Sequence, residues 1–427
     1  MTRTTTEAPV VPRNRWPLYG VLTAFGVSLT GTRIAAIALP WFVLVTTGSP
    51  AKAGLLALCE MAPYVLAKAL GGPWIDKIGA RRVSIVADVV SGAVMAVIPV
   101  LWWLGSFNLV VLFGLAMVLG AARGPGDSAK EVFVPYLAEQ AHLSLERVTG
   151  IGGSIERLAS TLGPAIGGGL VALVGPIPAI TATAGGALLS AVLISVSTRG
   201  HTAEPDSDAD EPYLARLRAG YRFLRGERLL WSIIVMVGVT NFLDAAMMSV
   251  LVPVWAKESG AGPAGIGLIG SCFGLAALAG SVCATLVAER LPRRASYLAG
   301  FLLAGAPRFI VLAMDAPLHV TAAVWVVSGI GCGFINPIIS AIFFERTPRS
   351  LLGRAGALGD ALAWSLIPVG GVAAAGAIAM VGLGPALVTA GLGYLVATTV
   401  PGLRPEWSQM RRRTPGAVPA PDTVHPG

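Results

Sequence analysis

The sequence predicts an all-α membrane protein, with twelve transmembrane helices in two pseudo-symmetric six-helix bundles. Three observations lead there. Of 427 residues, 54% are hydrophobic and 13% are charged, about half the charged share of a soluble domain. The hydrophobic residues gather in runs of about 20 or more, the length a helix needs to cross the hydrocarbon core of a bilayer. The bases between those runs are heavily biased to one side.

The runs place spans at 18–45, 51–75, 83–104, 107–128, 149–173, 175–198, 229–254, 264–288, 294–314, 318–343, 355–380 and 382–401. An even number puts both ends of the chain on one face. The segments sharing that face carry 24 of the 31 Lys and Arg residues, and the opposite face carries only Lys52 and Lys257. Cytoplasmic loops are the ones enriched in bases, so both termini are expected in the cytoplasm. The net charge of +8 is thereby explained by topology, without nucleic acid.

The expected organisation is a cytoplasmic tail over 1–17, a six-helix bundle over 18–198, a cytoplasmic linker over 199–228, a second bundle over 229–401, and a disordered cytoplasmic tail over 402–427. The linker opens with an acidic run and continues as YLARLRAGYRFLRGER. Leu214, Leu217, Tyr221 and Leu224 share one helical face there, opposite the arginines, which reads as a helix lying on the membrane surface. Acid–base pairs at 76–77 and 289–290, and prolines at 135 and 348, repeat with an offset of 213 residues. Parallel six-helix repeats are one way to build a carrier that rocks around a central site.

Several chemistries are unsupported. Cys59, Cys272, Cys283 and Cys332 lie inside apolar runs without zinc or disulfide spacing. No phosphate-binding loop appears, nor a soluble domain to hold one. Neither enzyme activity, cofactor nor metal is expected, and energy would come from an ion gradient.

Ionisable residues within the bilayer are costly and mark function by default. Arg33, Glu60 and Asp244 fall mid-span, with Asn241 one turn before Asp244. They are expected to line one central cavity. Either acid could carry a proton, with Arg33 pairing one of them or neutralising an acidic substrate; a permanent salt bridge is the alternative. Lys68, Asp88, Arg123, Asp127, Glu156, Arg157 and Asp360 fall nearer the cytoplasmic ends, as gate or anchoring pairs. Arg308 is placed near an outer end, where its side chain would snorkel.

The segment GGPWIDKIGARR, between the second and third runs, resembles the signature joining helices two and three in the major facilitator superfamily. Gly72, Asp76, Gly79, Arg81 and Arg82 carry the match. The resemblance implies a cytoplasmic gate held by Asp76 and its basic neighbours, to which Arg123 and Asp360 are added. A second copy is degraded: Thr285, Glu289 and Pro292 stand at the first glycine, the acid and the second glycine. GPAIGGG, with Gly163, Pro164, Gly167 and Gly168, resembles the fifth-helix signature of proton-exchanging exporters and implies a close-packed, bendable interface. LTGTRIAAIALPWFVLVTTGSP at 29–50, Asp88, and RLRAGYRFLRGERLL at 216–230 resemble the bacterial macrolide and siderophore efflux branch.

The resemblance implies a proton-coupled exporter of small amphipathic or hydrophobic organic compounds, acting alone in the lipid. A metabolite importer or facilitator remains open, as does a membrane receptor or assembly factor that transports nothing.

Overall fold

The computed structural model describes residues 15–410, apart from 142, 144, 200–212, 288–291, 349–350, 405–406 and 408–409. It contains twelve helices long and apolar enough to cross a membrane: Trp16–Thr47, Pro50–Leu70, Ala80–Trp103, Leu109–Val134, Ile151–Val174, Pro176–Ser197, Arg228–Glu258, Gly262–Ala284, Arg293–Ala313, Leu318–Arg346, Leu358–Val381 and Leu383–Leu403. They are called the first to twelfth spans below. The acidic linker run, residues 1–14 and 411–427 lie outside the described residues, as does the second signature copy at Glu289.

The sequence explains where most spans start and stop. Proline stands at the first or second position of the first, second and sixth spans, where its missing N–H costs nothing. Gly48, Gly175 and Gly382 adopt positive φ at the turns on one face, a conformation that glycine takes without a Cβ penalty. Those turns hold only a few residues, whereas the opposite face carries the long linker. The fourth helix differs from expectation. It continues to Gln140, so Lys130 lies within a helix and not in a cytoplasmic loop.

Packing within the halves follows one rule. In the first half, the first span packs on the fifth and sixth, the second on the fourth, and the third on the fourth and sixth. Every one of these pairings recurs in the second half with six added to each span. The seams are equivalent down to the backbone. Cβ atoms at Gly120 and Gly124 would collide with the second span at Glu60, Tyr64 and Lys68. Cβ atoms at Gly329 and Gly333 would collide with the eighth span at Phe273, Ala277 and Ser281 in the same order. Small residues permit such close helix approach where lipid supplies no hydrophobic drive. The second-to-eighth offset is the expected 213 residues, but the fourth-to-tenth offset is 209. Pro135 and Pro348 therefore do not correspond in register.

Two further seams join the halves. Gly168 of the fifth span meets Pro263 and Gly267 of the eighth, and Gly54 of the second meets Gly371 of the eleventh. Both lie toward the short-turn face, where Lys257 Nζ also donates to the Leu44 carbonyl at 3.4 Å. The halves are thus closed on that face.

The linker helix, Tyr213–Gly226, packs on the ends of the seventh and eleventh spans opposite the short-turn face. Leu224 is buried, while Arg225 lies 4.9 Å from the Trp231 ring. The side chains of Leu214 and Leu217 lie outside the described residues. The C-terminal segment corrects another expectation. Trp407 and Met410 are buried, Trp407 Nε1 donates to Ser232 Oγ at 3.1 Å, and its ring packs on Tyr297. Its indole and Met410 give that stretch a core to join, so it is not a disordered tail from residue 402.

Substituting Gly120 or Gly333 by leucine is expected to abolish the folded monodisperse protein, because the clashing atoms are backbone. Leucine at Gly72, where a Cβ meets open space, is expected to be tolerated. Thermal melting in detergent with size-exclusion profiles checks both.

Candidate functional site

The close approach of the second and fourth spans brings three polar pairs into register. Arg123 Nη1 binds Glu60 Oε1 at 3.1 Å. One turn toward the linker-helix face, Tyr64 Oη donates to Asp127 Oδ2 at 3.1 Å. One turn further, Lys68 Nζ binds Glu131 Oε1 at 3.2 Å. Partners four residues apart on each helix form a ladder because i and i+4 share a helical face. The lower rung reaches the second half: Trp364 of the eleventh span stacks on Tyr64 at 6.3 Å between centroids, and the Lys68 ammonium lies 4.9 Å from the same indole. Asp360, one turn before Trp364, is exposed.

Asp88 and Lys130 form a deeper pair between the third and fourth spans, at 2.6 Å, with side chains 6% and 1% exposed. Lys130 also donates to Ser28 Oγ at 2.9 Å, and Ser190 Oγ donates to Asp88 Oδ2 at 2.6 Å. This cluster ties the first, third, fourth and sixth spans together. It is too enclosed to meet a ligand and fits the anchoring role.

The second half carries its charge elsewhere. Asp244 Oδ1 of the seventh span accepts from Arg308 Nη2 of the ninth at 2.7 Å. The two partners differ in exposure. The Arg308 side chain is 4% exposed, whereas Asp244 keeps 37% and leaves its carboxylate open to a proton or ligand. Arg308 therefore does not snorkel. Gly305 and Pro307 break the ninth span just before it, splitting the helix into Arg293–Ala304 and Ala306–Ala313. The break frees the Ala304 carbonyl, which accepts from Arg308 Nε. The guanidinium also lies 4.9 Å from the Phe273 ring and 5.8 Å from Trp325.

Asp244 sits just before an irregularity of its own, a π-helical stretch over Met247–Leu251. Such insertions are frequent at functional sites. The eleventh span is broken too, between Leu352–Trp364 and Ile367–Val381, with Pro368 in the first turn of the second piece. Asn241 Nδ2 donates to the Ala363 carbonyl at that break, at 3.0 Å. Asn241 thus supports the eleventh span and fixes Trp364, the next residue.

Arg33 meets neither acid. Its Nη2 donates to Ser160 Oγ at 2.9 Å, while Nε is buried without a hydrogen-bond partner. A Cβ at Gly163 would collide with the Arg33 side chain, and one at Gly167 would crowd Ile34 at 3.0 Å. Gly163 and Gly167 therefore seat the fifth span on the first. Gly168 faces the eighth span, and a Cβ on Gly270 would lie 2.8 Å from Pro164.

Among the residues expected at the gate, Gly79 has φ 91° at the turn before the third span. Arg81 donates to Thr198 Oγ1 at 2.8 Å and to the Ser195 carbonyl at 3.0 Å. It thereby caps the sixth span of its own half and does not reach across. Arg82 is exposed, and the side chain of Asp76 lies outside the described residues. Arg123 sits deeper than a gate position, on Glu60. Among the described residues, no group of three metal-ligating side chains could hold an ion.

Charge pairs buried within two repeated six-helix halves, joined by glycine seams, define a membrane carrier for small molecules. The chain belongs to the Major Facilitator Superfamily, whose description matches residues 21–255 and 234–416. It is 33% identical over 367 residues to the multidrug efflux pump Tap of Mycobacterium tuberculosis, covering 84% of this chain and 86% of that one. The Tap pump of Mycolicibacterium fortuitum is 29% identical over 361 residues, 83% and 88% of the two chains. Macrolide efflux protein A of Streptococcus pyogenes is 19% identical, covering 84% and 88%. The crystal structure of the nucleoside transporter NupG superposes with a TM-score of 0.72 at 13% identity, covering 93% of this chain and all of that one, a likeness of fold alone. The protein is a multi-pass membrane transporter related to multidrug and macrolide efflux pumps.

Sequence reasoning missed Lys130, the partnership of Arg308, and Trp364. A signal for the first was present: Arg123, Asp127, Lys130 and Glu131 recur at helical spacing across the expected end of the fourth span at residue 128.

Breaking a buried pair from one side leaves an uncompensated charge, at about 3–5 kcal/mol. Arg308→Met is therefore expected to lower stability by that order, and adding Asp244→Asn to restore part of it. Asn241→Ala leaves a carbonyl unsatisfied and is expected to cost about 1–3 kcal/mol. Denaturation of the purified variants in matched detergent measures all three.

Proposed function

We propose that the chain is a proton-coupled exporter of small amphipathic or hydrophobic organic compounds, working by alternating access in a bacterial inner membrane, as a monomer with both termini in the cytoplasm. The observation that carries this reading is the Asp244–Arg308 pair. An acid 37% exposed, held by an almost fully buried arginine, can exchange its arginine contact for a proton without leaving the bilayer. Glu60 on Arg123 is the second candidate, more enclosed at 14%. Arg33 stands near the fifth-span seam as a candidate substrate contact. The names of the Tap relatives support export of drug-like compounds.

Alternating access requires contacts that alternate. The glycine seams close the short-turn face in the described state, and the Trp364 contact with Tyr64 and Lys68 is the candidate cytoplasmic latch. Gly72, Asp76, Gly79, Arg81, Arg82, Arg123 and Asp360 remain assigned to that side. Arg81 acts by holding the sixth span, and Arg123 by holding Glu60. Pro164 and Gly168 supply the surface on which the halves move, and Gly163 and Gly167 hold the fifth span that carries it against the first.

Reconstituted liposomes with an imposed pH gradient test the reading. Lipophilic cations, macrolides and siderophores are screened for uphill flux and for accompanying proton movement. Asp244→Asn at matched incorporation is expected to lose coupled flux by at least about tenfold, the scale of a lost proton-transfer group. Glu60→Gln is expected to lose less. Unchanged coupled flux in both variants would sink the proton assignment. Gly168→Val is expected to stop transport by wedging the fifth span from the eighth while each half stays folded.

A further inference from the structure

The first span carries a groove away from all the charge pairs. Residues of that span form its floor, Ile151 and Ile155 of the fifth span one wall, and Ala182 and Gly186 of the sixth the other. Its volume is about 580 Å³, within the range of small-ligand pockets. From Tyr19 to Ile34 it runs about 22 Å along the helix axis, at 1.5 Å per residue. That length crosses one leaflet's share of a hydrocarbon core about 30 Å thick and reaches its interface. Thr23 and Thr30, the hydroxyls in the floor, donate to the Tyr19 and Gly26 carbonyls at 2.8 Å each, so both are satisfied within their own helix. Leu158 and Leu189, one turn from Ile155 and Gly186, are exposed, and the walls thus run out onto apolar surface. At the end near Trp16 the chemistry changes. Arg15 precedes Tyr19 by one turn on the same helical face; it is exposed and has no ion-pair partner among the described residues. Trp16 and Tyr19 are exposed beside it, as aromatic residues are at a membrane–water interface.

We propose that this groove is a binding site for one anionic phospholipid of the leaflet on the linker-helix side. One acyl chain lies along the floor between the fifth and sixth spans, and the phosphate meets the Arg15 guanidinium, whose fork matches phosphate oxygens. Water is a poor occupant, because it needs several polar partners and the threonine protons are already engaged. A phospholipid supplies both things the site lacks: an apolar chain one leaflet long and an anion at its interfacial end. The bound chain fills the gap between the fifth and sixth spans, and so braces the span on which the halves meet. The site requires only that the chain sit in a membrane; it does not depend on the export reading.

Titration of the delipidated full chain in detergent with phosphatidylglycerol and, separately, phosphatidylcholine, read by native mass spectrometry, tests the site. A Cβ at Gly186 would lie 3.7 Å from Val27 Cγ1, an ordinary contact, and one at Gly185 meets nothing. Gly186→Leu therefore fills the groove without a backbone clash and is expected to weaken phosphatidylglycerol binding about tenfold, the scale of roughly two methylenes kept from burial. Gly185→Leu is expected to leave binding unchanged. Arg15→Gln is expected to cut the preference for phosphatidylglycerol over phosphatidylcholine about fivefold, the scale of one base at an anionic surface. Matched melting temperatures guard against misfolding, and Ala182→Phe fills the same wall should Gly186→Leu fail to fold. Unchanged binding in the groove-filling variant, or an unchanged lipid preference in Arg15→Gln, overturns the proposal. An equal loss in Gly185→Leu does so too, by assigning the effect to the lipid-facing surface at large. Displacement of the lipid by a macrolide would make the groove a cargo port and likewise overturn it.

Discussion

A hydrocarbon interior penalises a charge without a counter-charge and a carbonyl without a donor, and apart from Arg33, which has only the Ser160 hydroxyl, the charges and helix breaks described above meet both demands. Glu60 has Arg123, Asp88 has Lys130, and Asp244 has Arg308. Where proline or glycine opens a helix, a side chain closes the account: Arg308 for the Ala304 carbonyl, Asn241 for that of Ala363. These partners come from different spans, so satisfying them fixes how the helices stand against each other. Nonspecific apolar contact cannot do that in lipid, where tails are as oily as leucine.

The breaks are also where chemistry is possible. The seventh, ninth and eleventh spans all depart from a regular α-helix near Asp244, Arg308 or Trp364. An unbroken helix buries its own backbone polar groups and offers little besides side chains. A broken one offers carbonyls and short segments that can pivot, held by a few replaceable contacts. The spans of the first half are continuous, and its ladder runs from Glu60 down to the side chains that touch Trp364.

Much of this was legible in the sequence. The twelve spans and the two halves follow from run length and charge bias, since both are set by bilayer thickness and topology, which act residue by residue along the chain. The identities of the mid-membrane residues were also readable, because an acid such as Asp244 stands out among apolar neighbours. Their partners were not. Arg308 looked like an interfacial residue because its distance along the chain from the outer turn is short; the break at Gly305 turns it inward. Lys130 looked like a loop residue because the fourth helix grows polar there, yet burial against Asp88 and Ser28 sustains it. Arg33 was expected to pair an acid or to neutralise an acidic substrate; within the protein it meets the Ser160 hydroxyl and neither acid. Pairing across spans depends on rotation about each helix axis, which a single sequence does not encode at this precision.

The two equivalent seams differ in one respect with mechanical weight. Between the second and fourth spans the positions facing the glycine backbone are Glu60, Tyr64 and Lys68, each engaged with a partner; between the eighth and tenth they are Phe273, Ala277 and Ser281. The first joint is toothed: its three polar contacts fall one per turn along the same pair of helices. An axial slip there must break all three together, so the second and fourth spans shift as one piece or not at all.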